Sequence, residues 1–71
     1  MPSLNGLSGL TVVRTLQNCG FTWVRTKGSH AVLRNNSRVC VVPLHDEIAV
    51  GTLRGVLRQA GITAKEFLDN M

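Results

Sequence analysis

His30 follows the run Lys27-Gly28-Ser29, with Arg25 and Arg34 to either side of it. A titratable ring, several cations, a hydroxyl and a glycine-containing turn with free backbone N–H groups form a set that cleavage of RNA can use. In that reaction the 2′-hydroxyl attacks its own phosphate in line, with no metal required in principle. A base takes the 2′ proton, an acid protonates the leaving 5′ oxygen, and cations offset the charge of the phosphorane-like transition state. Imidazole suits either proton role, because its ordinary pKa of about 6.5 leaves both forms populated near neutrality. His30 is therefore the candidate catalytic group, and Arg25, Lys27 and Arg34 are candidate phosphate contacts.

Other residues offer chemistry with plainer explanations beside it. His45, after Pro43-Leu44, is a second titratable group, yet Asp46 and Glu47 stand next to it as simple charge partners. Arg54 and Arg58, spaced i and i+4, put two cations on one helix face, which is also how a solvated face reads. Trp23 can stack on a base or pack in the core. Cys19 and Cys40 form no C-x-x-C pair, and with the two histidines they complete no zinc spacing. They read as reduced, buried, small apolar residues. No metal site and no cofactor are expected, and no Ser/His/Asp or Cys/His triad can be inferred.

The elements that must position His30 are legible in the apolar pattern. Residues 1–7 read as a tail or entry loop. Ser8 is an N-cap for a helix over residues 9–18, with Val12, Val13, Leu16 and Cys19 on its apolar face and Gly20 as its stop. Phe21 to Thr26 is β-branched and aromatic, and predicts a strand. Lys27-Gly28-Ser29 is a hairpin loop, with Gly28 free to take positive φ. His30 to Arg34 is the second strand, Asn35-Asn36-Ser37 the second loop, and Arg38 to Val42 the third strand, ended by Pro43. Residues 44–51 form a loop. Leu53, Val56, Leu57 and Ala60 then fall at i, i+3, i+4 and i+7, the spacing of an amphipathic helix, which Gly61 ends. Thr63-Ala64-Lys65-Glu66 is a capping box opening a last short helix, with Phe67 and Leu68 inward. Along the second strand, His30, Val32 and Arg34 share one face and Ala31 and Leu33 the other. The apolar pair suits the core, so His30 and Arg34 belong on an open face that two helices leave uncovered.

Composition sets the bounds. Seventy-one residues make one domain with a thin core. With 44% hydrophobic residues the chain is globular rather than disordered, and no apolar run approaches a membrane span. The N-terminus lacks the pattern of a signal peptide, so a cytoplasmic location is expected. Eight Lys and Arg against four Asp and Glu give a net charge of +4, which favours a polyanion or an acidic protein as partner.

Taken in order, these segments resemble the HicA family of bacterial toxins. The resemblance runs from Ser8-Gly9 through Cys19-Gly20-Phe21 and Val24-Arg25-Thr26-Lys27-Gly28-Ser29-His30. It continues in Val39 to Pro43 with His45, in Gly51-Thr52-Leu53-Arg54-Gly55-Val56-Leu57-Arg58-Gln59-Ala60-Gly61-Ile62, and in Thr63 to Leu68. It spans residues 8–69. Its specificity lies in the G-S-H signature standing upstream of G-T-L-R-x-x-L-R-Q-A-G.

The resemblance implies an α+β fold like the double-stranded-RNA-binding domain, with a three-stranded antiparallel sheet, two helices on one face in the order α-β-β-β-α, and a short C-terminal helix. It implies one toxin domain over residues 1–71 that cleaves mRNA independently of the ribosome. It implies a HicB-type antitoxin as partner, covering the active site. The family's catalytic histidine falls on His30, and Gly28 and Ser29 fall on the supporting positions before it, among the RNA-binding residues with Arg25, Lys27 and Arg34. Two alternatives stay open: a non-catalytic RNA-binding module of the same fold, and a basic protein-interaction domain.

Overall fold

The computed structural model describes residues 3–71; Met1 and Pro2, part of the expected entry segment, lie outside them. The elements run α1 (Gly9–Asn18), β1 (Thr22–Lys27), β2 (His30–Asn35), β3 (Arg38–Pro43), α2 (Val50–Ala60) and α3 (Ala64–Asp69). The strands form one antiparallel sheet in the order β1-β2-β3. This is the expected α-β-β-β-α order with a short helix appended.

α1 and α3 start where the sequence signals them, whereas α2 takes Val50 and Gly51 from the expected 44–51 loop and begins after Ala49, which supplies no side-chain cap. Ser8 Oγ accepts the Thr11 N–H at 3.1 Å and so caps α1. The Thr63–Glu66 capping box is complete at the start of α3. One apolar cluster joins Val12, Val13 and Leu16 of α1 to Leu53, Val56, Leu57 and Ala60 of α2 and Phe67 of α3. From the sheet it takes Ala31, Leu33, Cys40 and Val42. All four lie on one sheet face, so the helices share that face and leave the other open. Burying a side chain such as Leu33 or Leu53 fully contributes about 1.5–3 kcal/mol, which is what fixes the register of the strands.

Both hairpins are tighter than the expected three-residue loops. Lys27 pairs with His30, and Asn35 pairs with Arg38, so only Gly28-Ser29 and Asn36-Ser37 remain as turn residues. Gly28 has φ +57°, a conformation that costs an L side chain roughly 1–2 kcal/mol. β1 begins one residue later than expected, because the Phe21 N–H is drawn back to the Leu16 carbonyl at the end of α1.

Pro43 belongs to β3 rather than stopping it, and sits opposite His30. Two residues earlier, the Val41 N–H points off the sheet edge and donates to Gln59 Oε1 at 3.2 Å. Pro43 has the same orientation along the strand, so its missing N–H removes no ladder bond. The entry segment is docked rather than a free tail: Leu4 is buried, and the Leu7 carbonyl accepts the Ile48 N–H at 2.8 Å.

Candidate nucleic-acid interface and catalytic histidine

β2 carries His30, Val32 and Arg34 on the open face, as alternation predicts. Their partners on β3 are Pro43, Val41 and Val39. Their partners on β1 are Lys27, Arg25 and Thr22. Directly paired residues of an antiparallel sheet share a face. The open face therefore gathers His30 with Lys27 opposite it, Arg25 opposite Val32, and Arg34 one pair further on.

A β-bulge produces that arrangement. The register slips between Trp23 and Arg25, leaving Val24 as the extra residue. Unbroken alternation would put Trp23, Arg25 and Lys27 on one face. The bulge parts them. Trp23 stays opposite Leu33 on the core side, whereas Arg25 and Lys27 turn to the open side. The Trp23 indole N–H donates to the Arg25 carbonyl at 3.1 Å and to Thr26 Oγ1 at 2.9 Å, and the ring packs against the core. Of the two roles open to Trp23, packing is the one it takes.

Val24, Arg25, Val32, Arg34 and Val39 line a shallow groove of about 360 Å³ on this face. Its floor is aliphatic and its rims are guanidinium groups. Val24, Val39 and Val41 are exposed, three of the five large apolar side chains left open to solvent among the described residues. Gly28 and Ser29 form the turn at the His30 end, where the Ser29 carbonyl accepts the Leu44 N–H at 2.6 Å.

His45 joins the site through the loop that follows β3. Its ring centroid lies 6.5 Å from that of His30, with the planes at 63°. The backbone explains the approach. Gly9 N–H donates to the His45 carbonyl at 2.9 Å, just after the Leu44 bond to Ser29. A Cβ on Gly9 would overlap the Pro43 carbonyl oxygen and stand 2.7 Å from Leu44 Cα. Only glycine lets α1 come this close. Asp46 and Glu47 do not pair with His45; among the described residues the one ion pair is Lys65–Asp69, at 2.8 Å.

Arg54 and Arg58 are not part of this site. They are on α2, where with Leu57, Ile62 and Ala64 they line a separate groove of about 250 Å³. Cys40 is fully buried, and burial pushes its thiol up to about 11. Cys19 is half-buried, its thiol raised by burial and then by the charge of Glu66. Neither has the electropositive, exposed setting of a reactive thiolate. Among the described residues no group of three or more His, Cys, Asp or Glu is placed to hold a metal ion, and no helix is long and apolar enough to cross a membrane.

The bulge and the nearness of His45 are the features sequence reasoning missed. The first leaves no mark in Thr22-Trp23-Val24-Arg25-Thr26-Lys27 beyond a tryptophan in phase with two cations. The second is foreshadowed only by Pro43 and His45 standing where the third strand ends.

A protein-family model matches the chain. The model described as the HicA toxin of bacterial toxin-antitoxin systems covers residues 10–62, from α1 through the end of α2. No curated protein matches the chain.

Proposed function

The chain belongs to the HicA toxin family of bacterial toxin–antitoxin systems, and on that premise we propose that it is an endoribonuclease toxin that cuts mRNA without the ribosome and without a metal. The supporting observation is the open sheet face, where an exposed histidine stands opposite a lysine beside a groove rimmed by two arginines. His30 acts on a proton, as base to the 2′-hydroxyl or acid to the 5′ oxygen. Lys27, Arg25 and Arg34 hold phosphates, and Gly28 and Ser29 form the turn that presents His30. The aliphatic floor between the arginines suits the flat, weakly polar face of a nucleobase whose phosphate reaches a rim.

The family carries a cognate antitoxin. We assign it to the HicB type and place it over His30 and this groove. Exposed valines and unpaired arginines on one face fit a partner with an apolar centre and acidic rim.

The deciding experiment is cleavage of a long single-stranded RNA in EDTA by the parent chain and by His30→Ala, each checked for folding. The parent should yield 2′,3′-cyclic phosphate and 5′-hydroxyl ends. Loss of one proton-transfer group should slow cleavage by roughly 10²–10⁴-fold while RNA affinity persists. RNA bound but uncut by both proteins would make the chain a binding module. Products with 5′-phosphate ends would exclude internal attack.

A further inference from the structure

We infer that His45 is the second proton-transfer group of this site, working with His30 across one phosphate. This inference rests on the ribonuclease assignment. Four observations carry it. The two rings are 6.5 Å apart between centroids and meet edge to face rather than stacked. Both histidines are exposed, and His30 shares the open sheet face with the Arg25 and Arg34 that rim the groove. Among the described residues neither imidazole is tied up in an ion pair. Finally, His45 is held rather than loose: its carbonyl takes the Gly9 N–H, and Leu44 before it is bound to Ser29, the residue before His30. The same turn thus anchors the backbone beside both rings.

Proton transfer requires each donor or acceptor within about 2.6–3.2 Å of the oxygen it serves. Two rings at this separation can flank one phosphate and serve the entering and leaving oxygens, which stand on opposite sides of the phosphorus in an in-line displacement. The step balances with these two groups alone. The neutral imidazole removes the 2′ proton as the O2′–P bond forms. The P–O5′ bond breaks with its electron pair on O5′, which takes a proton from the protonated imidazole. The two histidines leave the step with protonation states exchanged, and water need supply nothing. Gly9 is then a positioning residue, since it acts through the His45 backbone.

The charged groups around the pair are few. Lys27 comes from β1, and Asp46 and Glu47 follow His45 in its own loop. The first turns of α1 and α2 contribute no acidic residue.

The test is the pH–rate profile of the parent, His45→Gln and His30→Gln on a short RNA with one mapped cleavage site, and on the same RNA with sulfur at the bridging 5′ position. A thiolate leaving group needs no protonation. The parent should give a bell-shaped profile. Folded His45→Gln should cut at least a hundredfold more slowly, losing one limb, and His30→Gln should lose the other. The sulfur substrate should rescue one of the two variants and not its counterpart. Cleavage by His45→Gln within threefold of the parent, with the bell intact, would overturn the proposal and leave the ribonuclease assignment standing. So would loss of the same limb in both variants, or rescue of both or neither. A parent that cuts no RNA would overturn both. Should His45→Gln misfold, His45→Ala with added imidazole decides: restored cleavage supports the role, and none refutes it.

Discussion

Gly9 and Gly55 both stand in helices, and replacing each by alanine should move stability in opposite directions. Alanine in place of a helical glycine ordinarily gains about 0.5–1 kcal/mol, because glycine loses more freedom on folding. At Gly55 nothing lies within 4 Å of an added Cβ, so that gain should appear in full. At Gly9 the added methyl meets the backbone at Pro43 and Leu44, and backbone cannot swing aside as a side chain can. Forced separation of packed elements costs about 1–3 kcal/mol. The Gly9–His45 hydrogen bond, 2.9 Å in length, would stretch or break, at roughly 1 kcal/mol more. Net of the helix gain, Gly9→Ala should lose about 1–3 kcal/mol. In a domain of this size each kcal/mol moves Tm by about 4–8 °C. Thermal and denaturant unfolding of the two variants beside the parent is the assay, with RNA cleavage measured well below both transitions. Gly55→Ala should melt higher and cleave normally. Gly9→Ala should melt lower and cleave more slowly even where it is fully folded. A Gly9→Ala protein at least as stable as the parent would show that the close approach does not constrain the fold.

Arg25→Ala and Arg34→Ala should each weaken RNA binding and flatten its salt dependence. The slope of log affinity against log salt should fall by roughly 0.7 for each phosphate of a single strand that is no longer neutralised; titrations across salt concentrations measure it, and an unchanged slope removes that arginine from the interface. Lys65→Ala, which alters an exposed residue on α3 paired with Asp69, is the control expected to change little. Cys40 should make the fold sensitive to alkali. Burial raises its folded value from 9.0 to about 11, so the protonated thiol favours the native state. That contribution is intact below pH 9 and lost as pH rises through 11. Denaturation midpoints across that window should fall more for the parent than for Cys40→Ala, and equal declines would discount burial of the thiol.

The parts of the fold that the sequence made legible are those set by period. Leu53, Val56, Leu57 and Ala60 repeat at helical spacing, and all are buried on α2. Ala31 and Leu33 alternate with His30, Val32 and Arg34, and the sheet obeys that alternation. Boundaries differ by a residue or two where hydrogen bonding, rather than side-chain pattern, decides them, as at Phe21, Lys27 and Pro43. The bulge was illegible for a different reason. A one-residue slip is settled by the competition between Trp23 in the core and two cations in water, and that outcome depends on what lies opposite on β2. Adjacency alone suggests pairing of His45 with Asp46 or Glu47, yet the loop bonds to α1 and to the β1–β2 turn bring its ring to His30 instead.

The site lies where burial is least needed. The end of β1, the start of β2, the end of β3 and the first residue of α1 all converge at the Gly28-Ser29 turn. Backbone hydrogen bonds and the glycine approach hold that junction, and they leave the side chains of Lys27, His30 and His45 exposed. Charges there keep their hydration and cost little to carry, whereas the same groups in so thin a core would lack partners. A domain this small can therefore keep its apolar side for stability and its bare sheet face for charged side chains. The bulge at Val24 reconciles the two demands within one strand, since it lets Trp23 serve the core while Arg25 and Lys27, two and four positions on, face the solvent.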